Sequence, residues 1–277
     1  MKMTLRFNSL LISAATLALS ACTSSNMTEL LSQTSQSSLR SSENIARDQY
    51  RHPIETLTFF GLQPNMNVVE IWPGNGWYTE LLAPALRNEG TYYAAHLPAD
   101  SEVKYYQRAV NNFNEKLSSN NAFSDVVVTE FYPGTHHAIA PANSVDMVLT
   151  FRNLHNWYIQ HDLEGVDNAF AAFYSALKPG GILGVVDHRL PENRDERKAK
   201  RSGYVKESWV IALAQKAGFE FVAKSEINAN PLDTADHEKG VWTLPPRLAL
   251  GEQDTEKYRT IGESDRMTLK FRKPDNK

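Results

Sequence analysis

Three stretches of the chain bring together residue types that can do chemistry. In VVEIWPGNGWYT (68–79), Glu70 closes an apolar run, and Gly74 and Gly76 follow on either side of Asn75. Residues without Cβ can take φ > 0 and let backbone N–H groups approach a ligand at the start of a helix. The stretch is therefore a candidate ligand cradle, although an ordinary strand-to-helix turn uses the same residues. A second stretch, RNLHNW, places Arg152, Asn153, His155 and Asn156 after another apolar run, and a third is Asp187, His188 and Arg189. A histidine titrates near neutrality and can take a proton from an alcohol or an ammonium group. His155 is the first candidate for such a base and His188 the second; His155 could equally cap the helix that follows. Asp187 could orient an imidazole or bind an amine, and Asn156 stands with the same catalytic candidates. Arg152 and Arg189 are either clamps for a carboxylate or phosphate or members of surface ion pairs.

A later loop offers Asp233, Asp236, His237 and Trp242. The eight histidines also raise the question of a metal, since His136, His137, His155, His188 and His237 could meet around Asp187. No short ligand motif with fixed spacing, such as HExxH, is present, so the expectation is a site without metal.

The elements that must position these residues alternate along the chain. Strands are expected near 67–71, 91–96, 125–131, 145–151, 182–186, 219–227 and 266–271. Helical patterns fill most of the intervals: Pro53 starts one helix, Leu81, Leu82, Ala85 and Leu86 face the core from another, and LKPGG is read as a turn. The nearly continuous apolar run VDMVLTF suits the middle of a parallel sheet. Alternation on this scale implies right-handed crossovers and a parallel sheet with helices on both faces, and the last two strands, joined by a loop alone, can pair antiparallel. In such sheets ligands bind beyond the carboxyl ends of the strands, which is where all three chemical stretches fall.

The first residues have a different character. Lys2 and Arg6 precede an apolar run from Leu10 to Leu19, as in a secretory signal peptide spanning 1–21. LSAC, ending at the single cysteine, Cys22, resembles a bacterial lipobox, which implies lipidation of Cys22; Thr23 after it resembles the pattern sorted to the outer membrane. Residues 22–43, rich in Ser, Thr and Gln, are expected to form a flexible tether, with the folded domain covering 44–277. The formal net charge of −3 provides no electrostatic ground for a nucleic-acid partner.

Taken together, VVEIWPGNG, SVDMVLTFRNLHNW, ALKPGGILGVVD, KAGFEF and the late strand make the chain resemble a class I S-adenosylmethionine-dependent methyltransferase over roughly 49–273. The phrases GNGWYTELLAP, NLHNW, VVDHR, GVWTLPP and GESDRMTLKFRKP are more narrowly similar to a bacterial family of exported methyltransferases without an assigned substrate. The resemblance implies a Rossmann-like, seven-stranded, mostly parallel sheet with an antiparallel last strand, and S-adenosylmethionine as cofactor. Glu70, Gly74 and Gly76, with Asn75 between them, match the loop that cradles the cofactor's methionine part. Trp72 stands at the first glycine, so the turn is expected to differ locally. His96 occupies the place where the superfamily holds the ribose hydroxyls with an acid, Asp100 is the nearest acid after it, and Glu130 could meet the adenine amino group. The implied activity is methyl transfer to a small molecule or envelope component, carried out by a periplasmic lipoprotein. A non-catalytic binding protein that retains the fold is the other reading; a nicotinamide dehydrogenase fits poorly, because GNGWYT lacks the last glycine of that fingerprint.

Overall fold

A computed structural model describes residues 27–275. The expected signal peptide and Cys22 lie outside the described residues. The chain opens with helices α1 (27–35), α2 (Ser42–Ile45), α3 (Asp48–Arg51) and α4 (Pro53–Phe60), then β1 (Asn67–Ile71) and α5 (Thr79–Leu86). Next come β2 (Thr91–His96), α6 (Lys104–Ser119), β3 (Val127–Glu130), β4 (Val145–Phe151), α7 (Leu154–Ala176) and β5 (Leu177–Leu190). The last third supplies α8 (Glu196–Ala199), β6 (Val205–Lys206), α9 (Glu207–Lys216), β7 (Glu220–Ser225), α10 (Thr255–Ile261) and β8 (Arg266–Arg272).

Seven strands form the sheet path β3-β2-β1-β4-β5-β8-β7. β1 pairs parallel with β2 and β4, and β5 pairs parallel with β4; β8 runs antiparallel between β5 and β7. This is the Rossmann-like α/β sheet expected from the alternation, with one addition. The two residues of β6 pair with the end of β5 and make an eighth strand, too short to leave a period in the sequence. KPGG, expected as a turn, is taken up into β5, whose pairing with β4 shifts register between Val145 and Met147.

Both faces of the sheet are covered. On one, Trp157, Val166, Phe170 and Phe173 of α7 and Val210 and Ala214 of α9 pack on Val69, Val148, Val185 and Leu269. On the other, Leu57 and Phe60 of α4, Leu81 and Leu82 of α5 and Phe113 of α6 cover Val68, Met147, Leu149 and Val186. Burial from both sides is why β4 reads as an unbroken apolar run.

The tether expected over 22–43 is corrected from residue 27 onward. Met27 and Leu31, one helical turn apart on α1, are 2% and 0% exposed in the second core face. Arg40 is buried as well, pairing with Asp48 at 2.6 Å and lying 3.6 Å from Glu80, which also meets Lys116 and Asn44. The polar composition concealed this because two apolar side chains and one buried ionic cluster, rather than a long stripe, fasten the segment. Leu31→Ala is accordingly expected to cost about 2–5 kcal/mol in denaturant unfolding, the range for a fully buried leucine, whereas a tether residue would show no change.

Candidate active site

The turn after β1 is built by strain and by space. Trp72 holds φ 48°, a left-handed conformation unusual for a bulky residue, and Gly74 and Gly76 follow at 60° and 78°. Trp72 thus holds a backbone conformation that favours glycine. Its indole leaves the turn sideways, donating through Nε1 to the Phe131 carbonyl at 2.8 Å and packing with Phe131, Tyr132 and Trp157. These contacts offset the backbone strain. The two glycines differ in their reasons. A Cβ on Gly76 would come within 2.8 Å of Lys116 and 3.3 Å of Phe113, so close packing against α6 requires glycine there. A Cβ on Gly74 would meet nothing within 4 Å, so that position faces open space. Asn75 is exposed between them.

Behind the turn, Glu70 is buried and accepts a 2.5 Å hydrogen bond from the Tyr92 hydroxyl, which also meets Thr79 at 2.9 Å. Burial pushes the Glu70 carboxyl up to about 7, against the opposing pull of Tyr92 and of the Arg152 and Arg51 charges.

Two strands away, β4 and β5 end side by side, with Phe151 opposite Val186. Arg152 takes φ 62° and donates its N–H to the Val186 carbonyl at 2.7 Å, and α7 then starts at Leu154, so His155 and Asn156 lie in its first turn. Asp187, fully buried, reaches across to that helix start. Its Oδ1 accepts from His155 Nδ1 at 2.8 Å and from the His188 N–H at 2.7 Å, and its Oδ2 accepts from the His155 N–H at 3.2 Å. A carboxylate at a helix N-terminus is favoured by the peptide dipoles. With the Asp187 carboxylate accepting at Nδ1, Nδ1 of His155 is the donor, and Nε2 is left as the ring nitrogen that Asp187 does not engage. Nε2 makes no hydrogen bond among the described residues. The His188 ring lies 5.0 Å from that of His155, with its Nδ1 2.5 Å from Ser264 Oγ. Burial first, and then the nearby His155 ring and the charges of Arg266, Arg152 and Arg51, hold His188 well below its ordinary pKa, so it is neutral.

No protein-family model matches the sequence, and no curated protein matches it either. Solved structures do match by fold. A SAM-dependent methyltransferase from Aquifex aeolicus superposes with a TM-score of 0.54 at 16% identity, over 82% of this chain and 93% of that one. The 4+2 cyclase SpnF superposes at 0.57 and 16% identity, over 87% and 86%. An O-methyltransferase family protein from Burkholderia thailandensis gives 0.52 at 13% identity, over 85% of this chain and 59% of that one. This is the methyltransferase fold.

The remaining candidates distribute unevenly within the methyltransferase fold. His96 sits beside the glycine turn but is not open to a ribose: Nδ1 accepts from the Leu97 N–H at 2.8 Å, which leaves Nε2 to donate to the Gly74 carbonyl at 3.1 Å. Burial lowers its pKa and keeps it neutral. It is thus a brace for the turn, correcting its assignment as a cofactor contact. Glu130 spends Oε1 on the Ala99 N–H at 2.9 Å and lies 3.5 Å from His136 through Oε2, tying the loops after β2 and β3 together. Asp100 is exposed. Asn156 reaches only the Arg152 carbonyl, at 3.4 Å, while Asn153 donates to the Ile71 carbonyl at 2.7 Å and frames the crevice between β1 and β4. Arg189 is held by Asp265 at 2.8 Å and Glu226 at 2.8 Å, which removes it as a free anion clamp. From the late loop, Trp242 reaches the His155 ring at 6.2 Å; Asp233 instead accepts from the Tyr204 hydroxyl and meets His237 Nε2 at 2.9 Å, and Asp236 pairs with Arg194. Among the described residues, His155, Asp187 and His188 are the one group close enough to share a metal ion. Asp187 there already accepts three N–H groups.

Sequence reasoning missed Arg51, Tyr92, Glu263 and Ser264. Arg47 and Arg51 carried the one available signal, helical i, i+4 spacing just before Pro53. For Glu70 the sign of the pH effect follows from its raised pKa. The folded state favours the protonated carboxyl, so stability present below pH 4.5 is lost as pH rises through about 7. Glu70→Gln removes that loss: from pH 4.5 to 8 the wild type should fall relative to the variant by on the order of 3 kcal/mol in chemical unfolding, and parallel profiles would show that Glu70 does not carry the titration.

Proposed function

We propose that the protein is a S-adenosylmethionine-dependent methyltransferase acting on a hydroxyl or amine group, with His155 as general base. The observation that carries this reading is the His155–Asp187 pair, 2.8 Å apart at the carboxyl ends of β4 and β5. The cofactor's methionine end fits the residues present, since Gly74 faces open space at a left-handed turn; Gly74, Gly76 and Glu70 would hold it. When bound, S-adenosylmethionine supplies an electrophilic methyl group on a sulfonium centre. The chain's own residues supply the rest. Asp187 fixes the imidazole so that Nε2 takes the acceptor's proton, and then stabilises the imidazolium that results. Burial of His155 and Asp187 excludes water from that proton's path.

A second reading, a binding protein that keeps the fold without transferring methyl groups, is favoured by one observation. His96 stands in place of the ribose acid with both ring nitrogens already engaged. Calorimetry with S-adenosylmethionine and its demethylated product separates the two: saturable binding, lost in Gly74→Val, is expected, and no binding at millimolar ligand would leave the second reading. With methyl-labelled cofactor and an extract of small molecules and envelope components, His155→Ala should retain binding and lose label transfer by about 10²–10⁴-fold. Undiminished transfer would clear His155 of the base role.

The address belongs to the same proposal: an exported lipoprotein, anchored at Cys22 in the outer membrane. Four residues lie between Cys22 and the buried Met27, a span of at most about 18 Å, so the anchor would hold the folded domain against the bilayer surface. Cys22→Ala should move the protein from the membrane fraction to the soluble periplasmic fraction; unchanged fractionation would refute the anchor.

A further inference from the structure

The crevice between the glycine turn and the histidine pair holds more positive charge than the protein balances. Arg51, at the end of α3, is 4% exposed, yet its Nε and Nη1 are sealed from solvent without a hydrogen-bond acceptor. The carboxylate nearest to it, Glu263, stays 3.7 Å from Nε and is already committed to Arg266 and to Arg47, the latter at 2.6 Å. Arg152 is half-buried, and its guanidinium makes no hydrogen bond or ion pair among the described residues. Four guanidinium groups (Arg47, Arg51, Arg152 and Arg266) therefore share one committed carboxylate, Glu263. Glu70 also lies within reach of Arg152 and Arg51, and burial pushes it toward its neutral form, while Asp187 is committed to three N–H donors. Buried charge is ordinarily compensated, and a buried donor without an acceptor calls for one.

Both cations are held in place without a carboxylate of their own. Arg51 lies 4.5 Å from the centre of the Trp77 ring, whose other neighbour is Arg40 at 5.0 Å, so an aromatic face positions it beside the Glu263 carboxylate that it shares. Arg152 is set by its left-handed backbone and by the hydrogen bond to Val186, three residues before the proposed base. Left-handed backbone at a non-glycine residue is uphill, and it persists where the surroundings enforce it. Tyr78, stacked on Phe151 at 3.7 Å, lies within reach of both charges.

We propose that Arg51 and Arg152 together bind the anionic group of the methyl acceptor, a carboxylate or a phosphate, and so deliver its hydroxyl or amine to His155 Nε2. The acceptor is then an acidic molecule. Guanidinium groups suit this role because their planar N–H donors match two oxygens of either group. The proposal rests on the methyltransferase reading for the word acceptor, while the anion site itself rests on the two arginines alone.

The test uses the full-length protein in detergent and inorganic phosphate as probe, at constant ionic strength with chloride as the reference anion. Calorimetry should show saturable phosphate binding that weakens at least tenfold in Arg51→Gln and in Arg152→Gln, is partly restored in Arg152→Lys, and is unchanged in the surface variant Arg87→Gln. Phosphate should raise the Tm of the wild type and not that of the two glutamine variants, which without phosphate should be at least as stable as the wild type. No saturable binding, equal binding in the variants, or glutamine variants that are less stable without phosphate would overturn the site, the last by showing a structural role. S-adenosylmethionine and 5′-methylthioadenosine, which lacks the carboxylate, distinguish the source of the anion. If the glutamine variants weaken the first and spare the second, and phosphate competes with the first, the site holds the cofactor's own carboxylate and the acceptor assignment is overturned. If phosphate binds while S-adenosylmethionine does not, the anion site stands and the methyltransferase reading falls.

Discussion

A carboxylate with no solvent exposure must find its hydrogen-bond donors inside the protein, and Asp187 finds three on the two elements that meet at the site. Two come from the first turn of α7 and one from its own strand. The start of α7, the end of β5 and the plane of the His155 ring are thereby fixed by one group. Much of the crevice follows from this. Arg152 emerges between β4 and α7 at a left-handed angle, Asn153 reaches back to Ile71, and Ser264 meets His188 from the antiparallel side of the sheet.

The glycine turn after β1 is held in shape by its neighbours. Trp72 takes a left-handed φ, as Gly74 and Gly76 do, held there by the bond to Phe131 and by three aromatic neighbours. At the end of β2, His96 braces the Gly74 carbonyl. Both side chains support the turn. SpnF, a cyclase with the same fold, illustrates that the sheet alone does not name a reaction.

The helices before β1 complete the other wall of the crevice. Arg47 meets Glu263, and Arg266 donates to the Tyr50 carbonyl, so the first and last parts of the chain close on each other. Burial pushes the Glu263 carboxyl up, yet Arg266, Arg51 and Arg47 outweigh it and hold it down to about 2. One carboxylate thus organises three guanidinium groups.

Local pattern determined most of the architecture. Strand and helix periods follow from which side chains are apolar, and seven strands with helices on both faces are readable because burial on two sides leaves unbroken apolar runs such as VDMVLTF. The same local logic placed His155, Asp187 and Arg152 at strand ends. Tertiary structure decided what each of them does. Asp187 and His155 are 32 residues apart, Arg47 and Glu263 are 216 apart, and no local rule relates such positions. Whether Arg189 is a clamp or a bound partner, whether His96 faces a ligand or a carbonyl, and whether residues 27–40 swing free or pack on the core depend on neighbours that only folding assembles. The period of a side-chain pattern is a property of one segment; charge compensation and hydrogen-bond satisfaction are properties of the space that several segments enclose.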